Sequence, residues 1–535
     1  MANGRSILNR KVLAGVADMR VDTLEHTAYA HLVMPNASAP SGEFPTRKHP
    51  HLYEINTWAW LECLSRRAGK PVSLDAVPDS EWDNFAQIGF NVIWLMGVWK
   101  RSEESRRIAL ADPANRPLYD QALPGWKPTD VIGSPYAVAD YVPDPRVGTW
   151  ETLDRVREKL HARGMALFLD FVSNHTAIDH PWTRERPEFH VQGTEQDFAK
   201  DSAGFFRATT RSGDRFLARG RDPYFPPWPD SAQINHFHPG ARAAQIATLK
   251  SIANHCDGVR CDMAMLLLND IFRKIWSARL KGLPTPREEF WLEAHAAVPN
   301  LILLAESYWG TEQRLLDLGF SFAYDKELYD TVRAARIDEA RARLGASMDY
   351  QSRLARFLEN HDEARRAIAF PNERLQAAGT LMGTLPGMRF YNEGELEGRR
   401  IFLPTTLRIA ADEPLDIASR TFFQKILAIT NDEIFHSGRW DLLEIRSQGD
   451  ATSLNLIAYE WRSEKSWKLI ALNLAASASQ GRIPLGKRIS PARNYVFNDE
   501  LNGVSYPRGG GELYNVGLFV RLEAGRAHVF DVTIA

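Results

Sequence analysis

Cys256-Asp257-Gly258-Val259-Arg260-Cys261-Asp262-Met263-Ala264 sets a cation and a carboxylate two residues apart inside an apolar run. If Val259 to Met263 is extended, side chains alternate between faces, so Arg260 and Asp262 point one way while Val259 and Cys261 point the other. The stretch reads as a strand that ends in chemistry, with the arginine holding its neighbouring carboxylate ionised. Taken alone, the pair also reads as a structural ion pair at a strand end, because such pairs perturb pKa values as active sites do. The rest of the sequence decides.

Similar short apolar runs recur on either side: Leu52 to Trp58, Val92 to Met96, Ala166 to Val172, Gly258 to Met263, Leu301 to Ala305, Phe320 to Tyr324, Leu354 to Leu358, and Met388 to Tyr391. Between them, Glu81 to Gly89 and Trp150 to Gly164 read as amphipathic helices closed by a glycine and followed within a few residues by a strand. Helix, glycine, strand is the order of a parallel α/β fold. Eight near-continuous apolar strands, each followed by a helix or a longer insertion, predict an α/β fold of the (β/α)8 TIM-barrel type, with functional residues at the C-terminal strand ends.

The predicted layout is an N-terminal extension over 1–45 and a barrel over 46–430. A proline-, glycine- and aromatic-rich insertion over 176–235 follows strand three, and a C-terminal β-sandwich covers 431–535. With 44% hydrophobic and 25% charged residues the chain has the balance of a folded globular protein. Lys+Arg 65 against Asp+Glu 67 leaves a net charge of -2, which provides no field for nucleic acid or anionic membrane and suits a neutral, hydroxyl-rich ligand. Three cysteines, Cys63, Cys256 and Cys261, argue against a disulfide framework. The start has no apolar signal region and no stretch is long enough to span a bilayer, so a cytoplasmic location is expected.

Read in order, the strand ends carry a repeating polar set. Strand three ends Asp170-Phe171-Val172-Ser173-Asn174-His175, and strand four ends Arg260-Cys261-Asp262. Strand five ends Ala305-Glu306-Ser307-Tyr308-Trp309, and strand seven ends Glu359-Asn360-His361-Asp362. Several strands therefore deliver carboxylates to one rim together with a cation and two histidines, and like charges so gathered repel unless a reaction uses them.

These four segments, with Ser134-Pro135-Tyr136-Ala137-Val138-Ala139-Asp140-Tyr141 after strand two, resemble the sequence regions of the α-amylase family, glycoside hydrolase family 13, from about Leu52 to the C-terminus. The resemblance implies a retaining glycoside hydrolase in which Asp262 is the nucleophile, Glu306 the general acid and base, and Asp362 the stabiliser of the transition state. It further implies that His175 and His361 bind sugar hydroxyls, that Tyr136 stacks on the reacting ring, and that Arg260 belongs to the binding set. Burial after the run Leu301 to Ala305 is expected to raise Glu306 and keep it protonated. A retaining pair stands about 5 to 5.5 Å apart.

Many endo-acting members of the family carry Lys-His three and four positions after the nucleophile, where this chain has Met265-Leu266. The departure implies a short α-glucan or small α-glucoside as substrate. Transglycosylation or sugar isomerisation is the near alternative, and a non-catalytic carbohydrate-binding barrel the remote one. No cofactor is expected to be required. Asn174 belongs to a calcium site in many members, but its other ligands are not identifiable, so calcium is unassigned. A small carbohydrate is the expected partner, without nucleic acid or membrane.

Other features read as structural. His236-Phe237-His238 has the spacing of a metal pair but does not end strand one. Cys256 and Cys261 read as packing residues, and the acidic Glu393 to Glu397 segment as a solvated loop. Gly509-Gly510-Gly511, in a region of turn signals from Pro507 to Gly511, lacks the lysine and following helix of a phosphate loop.

Overall fold

The computed structural model describes residues 47–280, 282–370 and 372–535; the extension expected over 1–45 lies outside them. Eight strands form a closed parallel barrel: β1 His51–Asn56, β2 Val92–Met96, β3 Ala166–Phe171, β4 Gly258–Cys261, β5 Ile302–Ala305, β6 Phe322–Tyr324, β7 Leu354–Arg356 and β8 Met388–Asn392. Each pairs with its neighbours in sequence and β8 closes on β1. Every residue of β1, β2, β3, β4, β5, β7 and β8 is buried, which is why these strands read as unbroken apolar runs rather than as alternating ones.

Four strands stop earlier than their apolar runs suggest, β3 by one residue at Phe171 and β7 by two at Arg356, and the other two for visible reasons. The first run was expected to continue to Trp58, but the Asn56 side chain accepts a hydrogen bond from the Ala59 N–H and starts the helix Thr57–Ala68. The run through Met263 ends at Cys261, because Met263 turns to φ 45° and the chain enters the short 3-10 helix Ala264–Leu267. The two helices expected to end in glycine are present as Asp79–Ile88, capped by left-handed Gly89, and Trp150–His161, with left-handed Gly164 three residues beyond its end.

After β3, His175–Ala177 pairs antiparallel with Ser231–Gln233. Between them lies a three-stranded antiparallel sheet of Gln192–Gly193, Gly213–Ala218 and Phe205–Thr210. Val191, Phe205 and Ala218 of this insertion pack with Phe272 and Trp276 of the helix after β4.

The C-terminal region contains β9 Arg439–Leu443, β10 Leu456–Arg462, β11 Trp467–Asn473, β12 Ser479–Ile483, β13 Asn494–Asp499, β14 Val504–Gly509, β15 Leu518–Leu522 and β16 Ala527–Ile534. They form a six-stranded sheet ordered β9-β10-β11-β16-β13-β14 and a two-stranded sheet β12-β15, with Leu469, Phe497 and Val520 in the core between them. The other face of the large sheet carries Ile457, Tyr459, Trp461, Ile470 and Val529 into the same continuous core as the barrel. There the Trp461 indole N–H donates to the Thr384 carbonyl at 2.8 Å.

The turn expected over Pro507 to Gly511 is instead the end of strand β14 followed by the helix Gly510–Val516, so a helix does follow the glycine cluster. Pro507 is tolerated because β14 is an edge strand, where a missing N–H breaks no ladder. Gly510 donates its N–H to the Arg493 carbonyl, and a Cβ there would come within 2.1 Å of that oxygen.

Candidate active site

The parallel register sets Cys261 opposite Ala305 and Arg260 opposite both Leu304 and Asp170. The residues one step beyond β4 and β5, Asp262 and Glu306, therefore emerge side by side at the same end of the barrel. Arg260, fully buried, holds both: its Nη1 lies 2.6 Å from Asp262 Oδ1 and its Nη2 lies 2.7 Å from Glu306 Oε2. The guanidinium sits among the rings of Trp94, Tyr136 and Tyr324, at 5.1 to 5.8 Å from their centroids. Such a cage suits a delocalised cation that must stay charged out of water.

Glu306 is fixed at both oxygens. Oε2 also accepts the Met263 N–H at 2.6 Å, and Oε1 accepts the Tyr308 hydroxyl at 2.7 Å. Burial pushes its carboxyl up to about 7; Arg260 opposes the shift, while the charges of Asp262 and Asp362 add to it. Asp262 is raised above its ordinary 3.8, chiefly by burial, with Arg260 opposing. Arg260 favours the anion, as expected from the sequence, but burial outweighs it and the net displacement is upward.

The opposite wall is built on His361. Its Nδ1 bonds a carboxylate oxygen of Glu54, and its Nε2 lies 2.7 Å from the Tyr136 hydroxyl and 3.0 Å from Asp362 Oδ2. Burial disfavours the charged ring, but Asp362 and Glu54 outweigh it and raise the imidazole well above its usual value. His361 is thus held between two carboxyl groups that favour its charged form. Asp362, whose side chain is 51% exposed at the mouth, is pushed up by the surrounding protein, yet His361 pulls it below the usual range. Tyr136 stacks on the His361 ring at 5.2 Å.

His175 is buried against Trp228, with ring centroids 5.1 Å apart, and burial lowers it to about 4, so at neutral pH it offers one donor and one acceptor. Asp170 lies further in: its carboxylate accepts the Trp94 indole N–H and the Gly97 N–H, and burial raises it to about 6. The Asn174 side-chain oxygen accepts the Gln233 amide N–H at 3.0 Å. Among the described residues no three His, Cys, Asp or Glu side chains converge as a metal site. No step below depends on a metal.

The three carboxylates named from the sequence thus cluster with Arg260, His361 and Tyr136. Glu54 was missed. The signal was present, since Glu54 is the one charged residue in the run Leu52 to Asn56. Tyr308 stood in a quoted segment without a role. The solvated loop expected over Glu393 to Glu397 is overturned: Glu395 is buried and accepts the Asn392 N–H, and Glu393 accepts the Asn56 N–H while its own carbonyl takes a hydrogen bond from Arg365. Met265 and Leu266 are buried in the core. His238 caps the helix Pro239–Ala253 and His236 packs edge-on to Phe272, so the two serve different structural ends. Cys256 and Cys261 are buried free thiols.

A family model described as the α-amylase catalytic domain matches residues 80–216. An α-amylase of Haloarcula japonica is 25% identical over 421 residues, which cover 77% of this chain and 54% of the relative. The crystal structure of a maltogenic α-amylase from Thermotoga neapolitana has the same fold, with a TM-score of 0.64 at 17% identity over 91% of this chain and 99% of that one. Over residues 80–216 the chain is thus similar in sequence to the α-amylase catalytic domain, and it shares the fold of solved α-amylases. It spans about half the length of the curated relatives it matches over long stretches. A shorter stretch of 140 residues, 24% of this chain, is 40% identical to 21% of an α-1,4-glucan:maltose-1-phosphate maltosyltransferase of Cereibacter sphaeroides. No described helix is long and apolar enough to cross a membrane.

Proposed function

We propose that the chain is a retaining α-glucosidase of the α-amylase family that cleaves a short α-glucan or small α-glucoside by double displacement. The observation that carries this reading is the single guanidinium of Arg260 holding Asp262 and Glu306 together, opposite the Glu54–His361–Asp362 wall. In the first step an Asp262 oxygen attacks C1, the C1–O bond breaks, and the Glu306 proton passes to the leaving oxygen. In the second, water attacks C1, its proton goes to the Glu306 carboxylate, and the bond to Asp262 breaks. Asp362 and His361 take the sugar hydroxyls.

Glu306, raised to about 7, keeps a proton available near neutral pH, as the acid of the first step requires. Burial of Met265 and Leu266 removes that segment from contact with a long glucan and supports a short substrate. Transfer of the glycosyl unit to a sugar instead of water is a second reading, favoured by the likeness to the maltosyltransferase.

Proton NMR of fresh product tests the mechanism: the α-anomer of the released sugar is expected first, and the β-anomer would sink the retaining assignment. Asp262→Asn keeps a hydrogen-bonding partner for Arg260 and should abolish turnover with an unchanged melting temperature; retained activity would remove Asp262 from its role.

A further inference from the structure

Beyond Glu306 the chain does something costly. Ser307 and Tyr308 are irregular and the turn comes next, where Trp309 takes φ 61° and Gly310 φ 68°. A bulky residue in the left-handed region is uncommon, and such strain gathers at sites that use it. The turn is pinned by Thr311, whose hydroxyl donates to the Tyr308 carbonyl at 2.7 Å. Its effect is to turn the indole outward, leaving Trp309 41% exposed.

Trp309 meets Tyr224, which arrives from the insertion and is 52% exposed. Their ring centroids are 5.2 Å apart at 69°. Tyr224 is held by its own turn: the buried Asp222 carboxylate accepts the N–H groups of Tyr224 and Phe225 at 2.6 and 2.9 Å. Two segments far apart in sequence therefore fix two large apolar faces at the rim and leave them in water, where single exposed aromatics need no explanation but a fixed pair does.

The contacts run outward from the acid: Glu306 to the Tyr308 hydroxyl, the Tyr308 ring to Trp309 at 6.5 Å, and Trp309 to Tyr224. The acid protonates the leaving oxygen, so what extends outward from it lies on the leaving-group side.

We infer that Trp309 and Tyr224 form a two-ring platform for the sugar beyond the scissile bond, so that the favoured leaving group and acceptor is a pyranose presenting a C–H face. This deepens the glycosidase reading and rests on it. Trp309 supplies the broad face and Tyr224 the flank. The platform discriminates by shape and apolar area, and a leaving group without a ring gains nothing from it.

The experiment compares maltose with α-glucosyl fluoride, whose leaving group has no face to stack. In Trp309→Ala, kcat/KM for maltose is expected to fall about tenfold more than that for the fluoride. Tyr224→Ala should move the ratio in the same direction by less, and Trp309→Phe should restore most of it. An unchanged ratio overturns the platform, as does an equal loss on both donors, which would mark a purely structural role. A wild-type protein that turns over the fluoride with an unaltered variant ratio leaves the glycosidase reading standing and removes the platform alone. A wild-type protein that turns over neither donor takes both down.

Discussion

Strands β4 and β5 end alike and then part. Each delivers a carboxylate, Asp262 or Glu306, and each is followed within three residues by a bulky residue at positive φ, Met263 or Trp309. After Met263 the chain dives inward, and Ala264, Met265, Leu266 and Leu267 are all buried in a short 3-10 helix. After Tyr308 it turns outward and exposes an indole. The same backbone device fixes the reacting group in one case and presents a recognition face in the other. The inward turn is closed over by the core, whereas the outward one is held by the Thr311 hydroxyl and by ring contacts with Tyr308 and Tyr224 and leaves part of its indole in water.

The largest test breaks the symmetry of the two carboxylates. Glu306→Gln removes the proton donor and should lower kcat for maltose by about 10²–10⁴-fold, with a far smaller loss on α-glucosyl fluoride, whose leaving group needs no proton. Steady-state kinetics on the two donors checks it; parallel losses would mean that Glu306 is not the acid.

A smaller effect separates the two turns by stability. Met265→Ala empties a buried site and should cost about 2–5 kcal/mol in denaturant unfolding. Trp309→Ala, at an exposed rim, should stay within about 0.5 kcal/mol. Equal costs would show that the outward turn is as much a part of the core as the inward one.

The smallest effect is on pH dependence. Glu306 acts protonated and is raised to about 7, so kcat/KM should fall as pH rises through about 7. Asp262 acts ionised and is raised above its usual value, so activity should also fall on the acid side as that carboxyl takes up its proton. The Tyr308 hydroxyl stabilises the Glu306 anion and thereby lowers its pKa. Tyr308→Phe should therefore move the alkaline limb upward by about half a unit to one unit. A pH–rate profile reads this directly, and a downward move would contradict the hydrogen bond from Tyr308 to Glu306.

The barrel was legible because parallel strands buried on both faces leave continuous apolar runs, and the pair Arg260 and Asp262 because strand side chains repeat every two residues. What stayed hidden depends on distant partners. Glu54 gains its meaning only from His361, 307 residues away. The Glu393 to Glu397 loop is charged like a surface loop, yet Asn56, Arg365 and Arg366 come from far along the chain to take its polar groups inside. Pro507 looked like a turn because sequence does not say which strand will lie at a sheet edge. The meeting of Tyr224 with Trp309 likewise belongs to the folded insertion and to no local pattern.

The core shared between the barrel and the large C-terminal sheet bears on how such chains are recombined. Ile457, Tyr459, Trp461, Ile470 and Val529 pack into the barrel's own interior, and the Tyr459 and Thr384 hydroxyls are hydrogen-bonded across the junction. A cut near residue 430 would not separate two modules but would flay one core open. Exchanging this sheet for that of a relative would require the barrel face beneath it, around Thr384, to be exchanged as well.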